Sequence, residues 1–182
     1  MRRNVQSVSA ASRGISNSFG FTLPELMVVM IIIAIIMSIA LPAFRNTTLS
    51  TRLSNYSNEL VSSIYLARGE AIKRNARVRM CASNNGVDCE SSGGWAQGWV
   101  VLDPNNVPLK VQEELGAGYV IQASGAVHML TFDSTGFIVT PTASETVFTA
   151  CRASPLGNQK REVSVSRIGK TSVSRDEASS CP

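Results

Sequence analysis

The sequence predicts an α+β protein, with one long N-terminal helix and an antiparallel β domain behind it. One observation behind this is an apolar run from Leu26 to Leu41, which only Ser38 interrupts. The other is that short β-prone runs separated by turn residues begin after Arg77. At 182 residues, 44% of them hydrophobic, the chain can form one ordinary domain with an appendage, and disorder is excluded for most of it.

The charge distribution argues against general attraction to nucleic acid. The formal net charge is +4, but Arg2, Arg3 and Arg13 all precede the apolar run. Without the first 20 residues, 14 basic side chains stand against 13 acidic ones. Only a local basic patch is therefore expected.

The N-terminus has the order of a processing signal, but not of a secretory one. A polar, basic stretch comes first, then Gly20, Phe21 and Thr22, then Glu25 at the head of the apolar run. A secretory signal places its apolar core before the cleavage site and rarely carries a carboxylate at the head of that core. The pattern resembles a type IV prepilin signal. The resemblance implies cleavage between Gly20 and Phe21 by a prepilin peptidase, which then N-methylates Phe21.

Glu25 has two candidate roles. Thr22 and Glu25 fit a capping box. Pro24 departs from the prepilin pattern, since most family members carry Leu or Ile at this position, but proline fits the first turn of a helix. The capping role alone is the simpler interpretation. The prepilin resemblance implies a second role, in which Glu25 pairs with the N-terminal amine of a neighbouring subunit. A carboxylate in apolar surroundings is costly unless it is paired.

The segment 21–44 is long enough to cross a membrane and to serve in polymerisation. Its 24 residues rise about 36 Å as a helix, and the leader arginines favour a cytoplasmic N-terminus. A permanent single-pass anchor is the alternative. Pro42 is expected to kink or loosen the helix, and its position resembles the pilin region that melts on polymerisation.

Residues 45–76 continue the helix as an amphipathic stretch that ends near Asn75. Apolar residues spaced by three and four predict a stripe that packs against a sheet. The opposite face is basic, and we expect it to be solvated; docking of acidic neighbours in a fibre is the alternative. The stripe comprises Leu49, Leu53, Tyr56, Leu60, Ile64, Ala67 and Ala71; the basic face carries Arg45, Arg52, Arg68, Lys73 and Arg74.

Residues 77–182 contain nine short β-prone runs separated by turn sequences rich in Asn, Asp, Gly and Pro. Their spacing predicts an antiparallel sheet or two packed sheets. The runs are Val78–Ala82, Trp95–Leu102, Leu109–Gln112, Tyr119–Gln122, Val127–Phe132, Gly136–Val139, Thr146–Cys151, Glu162–Ser166 and Thr171–Val173.

Three blocks sharpen the resemblance beyond pilins in general. Trp95–Asn105, Leu130–Gly136 and Val163–Lys170 resemble recurring blocks of the GspH/FimT/FimU family of minor pilins and pseudopilins. With the N-terminal signal they cover most of the chain. The resemblance implies the type IV pilin fold, in which a long N-terminal helix packs on a C-terminal antiparallel β domain. Trp95 and Trp99 are expected to pack on the sheet.

Four cysteines in a domain expected to face the periplasm predict disulfide bonds. Three pairings are possible. Proximity along the chain favours Cys81 with Cys89 and Cys151 with Cys181. A zinc site is the alternative, but the chain lacks a Cys-x-x-Cys pair, and its single histidine, His128, has no motif around it.

We find no sequence signature of an enzyme, and expect neither a cofactor nor a metal. A nucleophile elbow, a phosphate-binding loop and paired carboxylates are all lacking. Asp103, Asn105 and Asp133 are weak candidates for calcium ligands, because Asp and Asn in turns usually serve backbone hydrogen bonds.

The basic C-terminal region is a candidate for DNA contact, because it clusters Lys160, Arg161, Arg167, Lys170 and Arg175 near a glycine turn. Some FimT proteins bind DNA through a Gly-Arg-x-Arg motif, which the stretch from Gly169 to Ser172 matches only in part. Lys170 keeps the first charge, whereas Ser172 loses the second. Arg167, Lys170 and Arg175 are the possible DNA contacts, and a solvated tail of mixed charge is the alternative.

The resemblance implies a minor pilin of a type IV pilus. Such a subunit waits in the inner membrane with its C-terminal domain in the periplasm, then enters the fibre. It initiates the pilus or connects tip subunits to the major pilin. Its implied partners are major and minor pilins, the inner-membrane assembly platform and the prepilin peptidase. The alternatives are a DNA-receptor pilin for natural transformation and a minor pseudopilin of a type II secretion system.

Overall fold

The computed structural model describes residues 20–152, 159–176 and 181, and confirms the α+β class. The described part of the chain forms one long helix, α1, and nine strands. Two short 3₁₀ turns lie at Trp95–Gln97 and Ser124–Ala126. The elements are α1 Leu23–Arg74, β1 Val78–Ala82, β2 Trp99–Leu102, β3 Pro108–Gln112, β4 Tyr119–Ala123, β5 Met129–Phe132, β6 Ile138–Thr140, β7 Glu145–Arg152, β8 Lys160–Ser166 and β9 Thr171–Asp176.

The chain divides into two units between Leu41 and Pro42. The described part of the first unit consists of the start of α1 and the residues just before it, and all of these are exposed. The second unit contains the core. The stripe predicted on α1 is buried there as expected, with Leu53, Leu60 and Ile64 at most 1% exposed.

The end of α1 shows why the helix stops where the sequence predicts. Asn75 has a φ of 51°, which is the left-handed conformation that asparagine tolerates. Its backbone N–H donates to Ile72 O at 3.2 Å, and that of Ala76 donates to Ala71 O at 3.2 Å. Together these two bonds form a Schellman motif, which satisfies carbonyls that the helix leaves unpaired.

Nine strands form two sheets, so the two-sheet alternative holds. The five-stranded sheet has the order β3-β2-β1-β5-β6, and the four-stranded sheet has the order β4-β7-β8-β9. Every pairing is antiparallel. Both sheets and the buried stripe of α1 share one apolar cluster.

Both tryptophans pack in this core, as predicted, and each has a hydrogen-bond partner. Trp99 Nε1 donates to Ser63 Oγ on α1 at 2.9 Å, and Trp95 Nε1 donates to Val127 O at 2.7 Å. The Trp95 ring also meets Phe148 edge-on, with ring centroids 5.0 Å apart. The indole N–H groups are therefore buried without loss of their bonds.

Some predicted strand boundaries were wrong. The strand predicted from Trp95 begins at Trp99, because the 3₁₀ turn and Gly98 precede it. Gly98 has a φ of 111°, and a Cβ there would overlap the carbonyl oxygen of Gln112, so the chain needs glycine at this approach. The strands predicted from Val127 and Gly136 each begin two residues later.

The expectation of a solvated basic face on α1 was wrong for Arg68, whereas Arg74 is exposed as expected but forms ion pairs. Arg68 is half-buried, and its side chain lies against the turn glycines Gly136 and Gly169. Arg74 bonds to Glu70 Oε2 at 2.6 Å and to Asp103 Oδ2 at 3.2 Å. These arginines therefore fasten α1 to turns of the β domain, which periodicity alone does not show.

Candidate functional site

The apolar segment Leu23–Leu41 is the feature of the first unit that most needs a partner. Among the described residues it is the one segment that is long and apolar enough to cross a membrane. The described residues bury none of it, and Phe21 just before it is 78% exposed. Exposed apolar surface of this extent marks a lipid or protein contact.

Glu25 is the single charged residue of the apolar segment. The backbone N–H of Thr22 donates to Glu25 Oε2 at 3.5 Å, and that of Leu26 donates to Thr22 O at 3.2 Å. The glutamate half of the predicted capping box is thus present, although its bond is long. The capping role leaves Glu25 with capacity to accept further hydrogen bonds.

Pro42 lies inside α1 as the first residue of the second unit. It has no N–H, so it cannot donate to the carbonyl of Ser38 four residues earlier. The helix is thus one hydrogen bond weaker at this position. Melting of this region remains a prediction.

Both disulfides favoured by the sequence are present in the second unit. Cys81 on β1 bonds to Cys89 in the following loop, with Cα atoms 5.4 Å apart. Cys151 on β7 bonds to Cys181, with Cα atoms 5.7 Å apart. The first closes a local loop, and the second fastens Cys181 to the four-stranded sheet.

The structure separates the three residues predicted for DNA contact. Arg167 and Lys170 are exposed in the β8–β9 turn. Arg175 lies near the far end of β9, opposite Arg161 of β8, and five residues of strand from Lys170 correspond to about 17 Å. Only two of the three cations therefore share one surface.

Arg161 is buried, which the sequence did not indicate. It is 8% exposed, and its Nη2 donates to Ser50 Oγ at 3.0 Å and to Ser54 Oγ at 3.3 Å. Its Nη1 is buried with no hydrogen-bond partner. Burial, and then the charge of Arg175, lower the pKa of Arg161 from its ordinary value. The alternation of β8 was the available signal, since Arg161 shares its face with buried Val163 and Val165.

The weak candidates for metal binding serve turns instead. Asp103 Oδ1 accepts the N–H groups of Asn105 and Val107, both at 2.8 Å. Asp133 Oδ1 accepts the hydroxyl of Thr135 at 2.6 Å, as well as two backbone N–H groups. His, Cys, Asp and Glu side chains form no metal-binding group within the described residues.

An exposed apolar helical segment, followed by an amphipathic stretch packed on antiparallel sheets, defines a pilin-like subunit. Residues 57–169 match the family described as type II transport protein GspH, and residues 15–41 match the prokaryotic N-terminal methylation motif. The first match covers more than half of the chain. The chain therefore belongs to the GspH family of pilins and pseudopilins, whose members are structural subunits, and it is not an enzyme.

Solved structures support the fold. The type IV minor pilin FimU of Pseudomonas aeruginosa, in space group P21, is similar with a TM-score of 0.56 and 23% identity, covering 70% of this chain and 92% of that one. The structure of FimU in space group P65 gives a TM-score of 0.53 and 24% identity, and the match covers 67% of this chain and 92% of that one. These similarities show the type IV pilin fold. Comparison with curated protein sequences gave no significant match.

We predict that the two disulfides differ in their contribution to stability. Sequence separations of 8 and 30 residues correspond to about 2.6 and about 3.7 kcal/mol in the chain-entropy model. Urea unfolding of the full chain in micelles, followed by tryptophan fluorescence, should show a larger loss in the free energy of unfolding for C151S/C181S than for C81S/C89S. A larger loss for C81S/C89S would contradict the greater contribution expected of the longer loop.

We predict that Asp133 contributes to the free energy of unfolding and that this contribution is lost in acid. The hydroxyl of Thr135, followed by backbone N–H groups, holds the pKa of Asp133 below its ordinary value. Its stabilisation is therefore complete above the unfolded pKa of about 3.9 and is lost as the pH falls toward the lower native pKa. Unfolding midpoints measured from about pH 5 to about pH 2 should fall more steeply for the wild type than for D133N. Equal slopes would contradict this.

Proposed function

We propose that the chain is a minor pilin whose mature form begins at Phe21. Residues 1–20 are then the leader, removed by the prepilin peptidase after Gly20, and Phe21 carries the N-methyl group. The methylation motif at 15–41 supports this proposal, as does the exposed position of Gly20 and Phe21 just before α1. Residues 21–44 would serve polymerisation, 45–76 the amphipathic continuation, and 77–182 the periplasmic domain.

In this proposal the chain has two successive locations. It first spans the inner membrane once, with its second unit in the periplasm, because the apolar segment is long enough to cross the hydrocarbon layer. It then leaves the membrane with the help of the assembly platform and joins other pilins in a fibre. The complete exposure of the apolar segment carries this proposal, because the segment needs a cover in both states.

In the fibre, Glu25 would specify how neighbouring subunits align. Once the segment is packed among other apolar helices, an unpaired carboxylate would cost several kcal/mol. The N-terminal amine of a neighbouring subunit is the cation that processing creates in every pilin. Pairing with it would fix the axial register between subunits.

The proposal also concerns the role of the chain within the fibre. The structural similarity is to a protein described as a type IV minor pilin, which favours initiation of the pilus or connection of tip subunits to the major pilin. The family description favours a second candidate, a minor pseudopilin of a type II secretion system. DNA reception has less geometric support, because Arg175 lies apart from Arg167 and Lys170.

We predict that E25Q abolishes most incorporation into fibres while leaving membrane insertion intact. Breaking a buried ion pair by removing one charge costs about 3–5 kcal/mol, and each 1.4 kcal/mol is about tenfold in an equilibrium. Immunoblots of the fibre fraction should therefore show a loss of at least about tenfold. E113Q, a matched change at an exposed glutamate of the β domain, should behave as the wild type. Normal incorporation of E25Q would refute the pairing.

We predict that deletion of the chain reduces surface pili and twitching while secretion of folded exoproteins stays normal. Complementation with the wild-type chain should restore the pili. Electron microscopy of surface fibres, alongside activity of secreted enzymes in the medium, checks this. A secretion defect with normal pili would establish the pseudopilin role instead.

A further inference from the structure

Four arginines gather at one end of the second unit, and we call Arg52, Arg152, Arg161 and Arg175 the basic collar. The strand register places three of them at the same end of the four-stranded sheet. Arg152 ends β7, Arg161 is the second residue of β8, and Arg175 lies opposite Arg161. Arg161 reaches α1 at Ser50 and Ser54, on either side of Arg52 in the sequence.

Arg52 and Arg152 line one cleft of about 330 Å³ between α1 and the start of β4. The Arg152 guanidinium lies 5.4 Å from the centroid of the Tyr119 ring, which fixes its position. The described residues that line this cleft include no acidic side chain. Within the described part of the chain, neither arginine forms a salt bridge.

Arg161 is the buried member of the collar. Its Nη1 is buried and unpartnered, and its other contacts are to neutral serine hydroxyls. A buried charge with an unsatisfied donor is costly. The one described glutamate next to it in the sequence, Glu162, is already bonded to Lys160 at 3.0 Å. An external anion would therefore meet the collar at Arg52 and Arg152, the two arginines that line the cleft.

The position of the collar along the chain indicates which anion. Arg52 follows Leu41, the last residue of the apolar segment, by only eleven positions. If the segment spans a bilayer, the chain therefore keeps the collar within reach of the headgroup layer. Guanidinium groups bind phosphate oxygens in a bidentate manner, and basic groups beside a membrane segment are attracted to anionic lipid.

We propose that the basic collar binds phosphate groups of anionic phospholipids while the subunit waits in the membrane. This rests on the proposed function, since it requires the membrane-held stage. The contact would hold the β domain in a defined orientation on the bilayer surface. Extraction into a fibre would break it, so lipid binding and assembly would compete for the same subunit.

Native mass spectrometry of the full chain in micelles, titrated with phosphatidylglycerol or phosphatidylcholine, tests the collar. R52Q/R152Q should bind phosphatidylglycerol about 30-fold more weakly, which is about 1 kcal/mol for each arginine. R167Q/K170Q removes the same charge at the opposite end of β8 and β9 and should bind as the wild type. R52K/R152K keeps the charge and should retain most of the binding. Tryptophan fluorescence checks that each variant is folded.

Three results would overturn the proposal that the collar binds anionic phospholipid. Equal losses in R52Q/R152Q and R167Q/K170Q would show only an effect of net charge. Equal binding of both lipids would show that headgroup charge is not recognised. Displacement of the lipid by inorganic phosphate at equal concentration would show a site for free phosphate. Flotation of the full chain with vesicles tests the proposed function separately, because its failure would refute the membrane-held stage whatever the lipid preference.

Discussion

An apolar helical segment that the chain does not cover itself is the constraint on which the other features depend. From Leu23 to Leu41 the side chains face outward, so the molecule cannot remain in water with this segment bare. Lipid can cover it, and so can apolar helices of other subunits. In the proposed function the chain uses both covers in turn. In the proposed function the single carboxylate at Glu25 distinguishes them, because a paired charge is tolerated in a helix bundle, whereas an unpaired one is costly in lipid.

The second unit holds the other half of α1 rigidly through contacts spaced along the helix. Arg161 bonds to Ser50 and Ser54, the Trp99 indole bonds to Ser63, and Arg74 bonds to Asp103. Between them the apolar stripe of α1 is buried against both sheets. Two disulfides also close this second unit.

Local signals in the sequence predicted most of this fold. Hydrophobic periodicity identified the buried stripe of α1, and turn residues identified nine strands, because both depend on neighbouring positions. The errors occurred where distant parts of the chain meet. Gly98 is required by its approach to Gln112, and Arg68 is covered by the turns at Gly136 and Gly169. The burial of Arg161 depends on two serines more than 100 residues earlier, so its role in the collar emerged only from the structure.

Mass spectrometry of the N-terminal peptide, recovered from sheared and purified fibres, tests the central claim most directly. The account predicts a peptide that begins at Phe21 and carries one methyl group on its amine, because the apolar segment enters the fibre only after processing. A chain that is missing from the fibre fraction, or that is present there with Met1 and the leader intact, would contradict it.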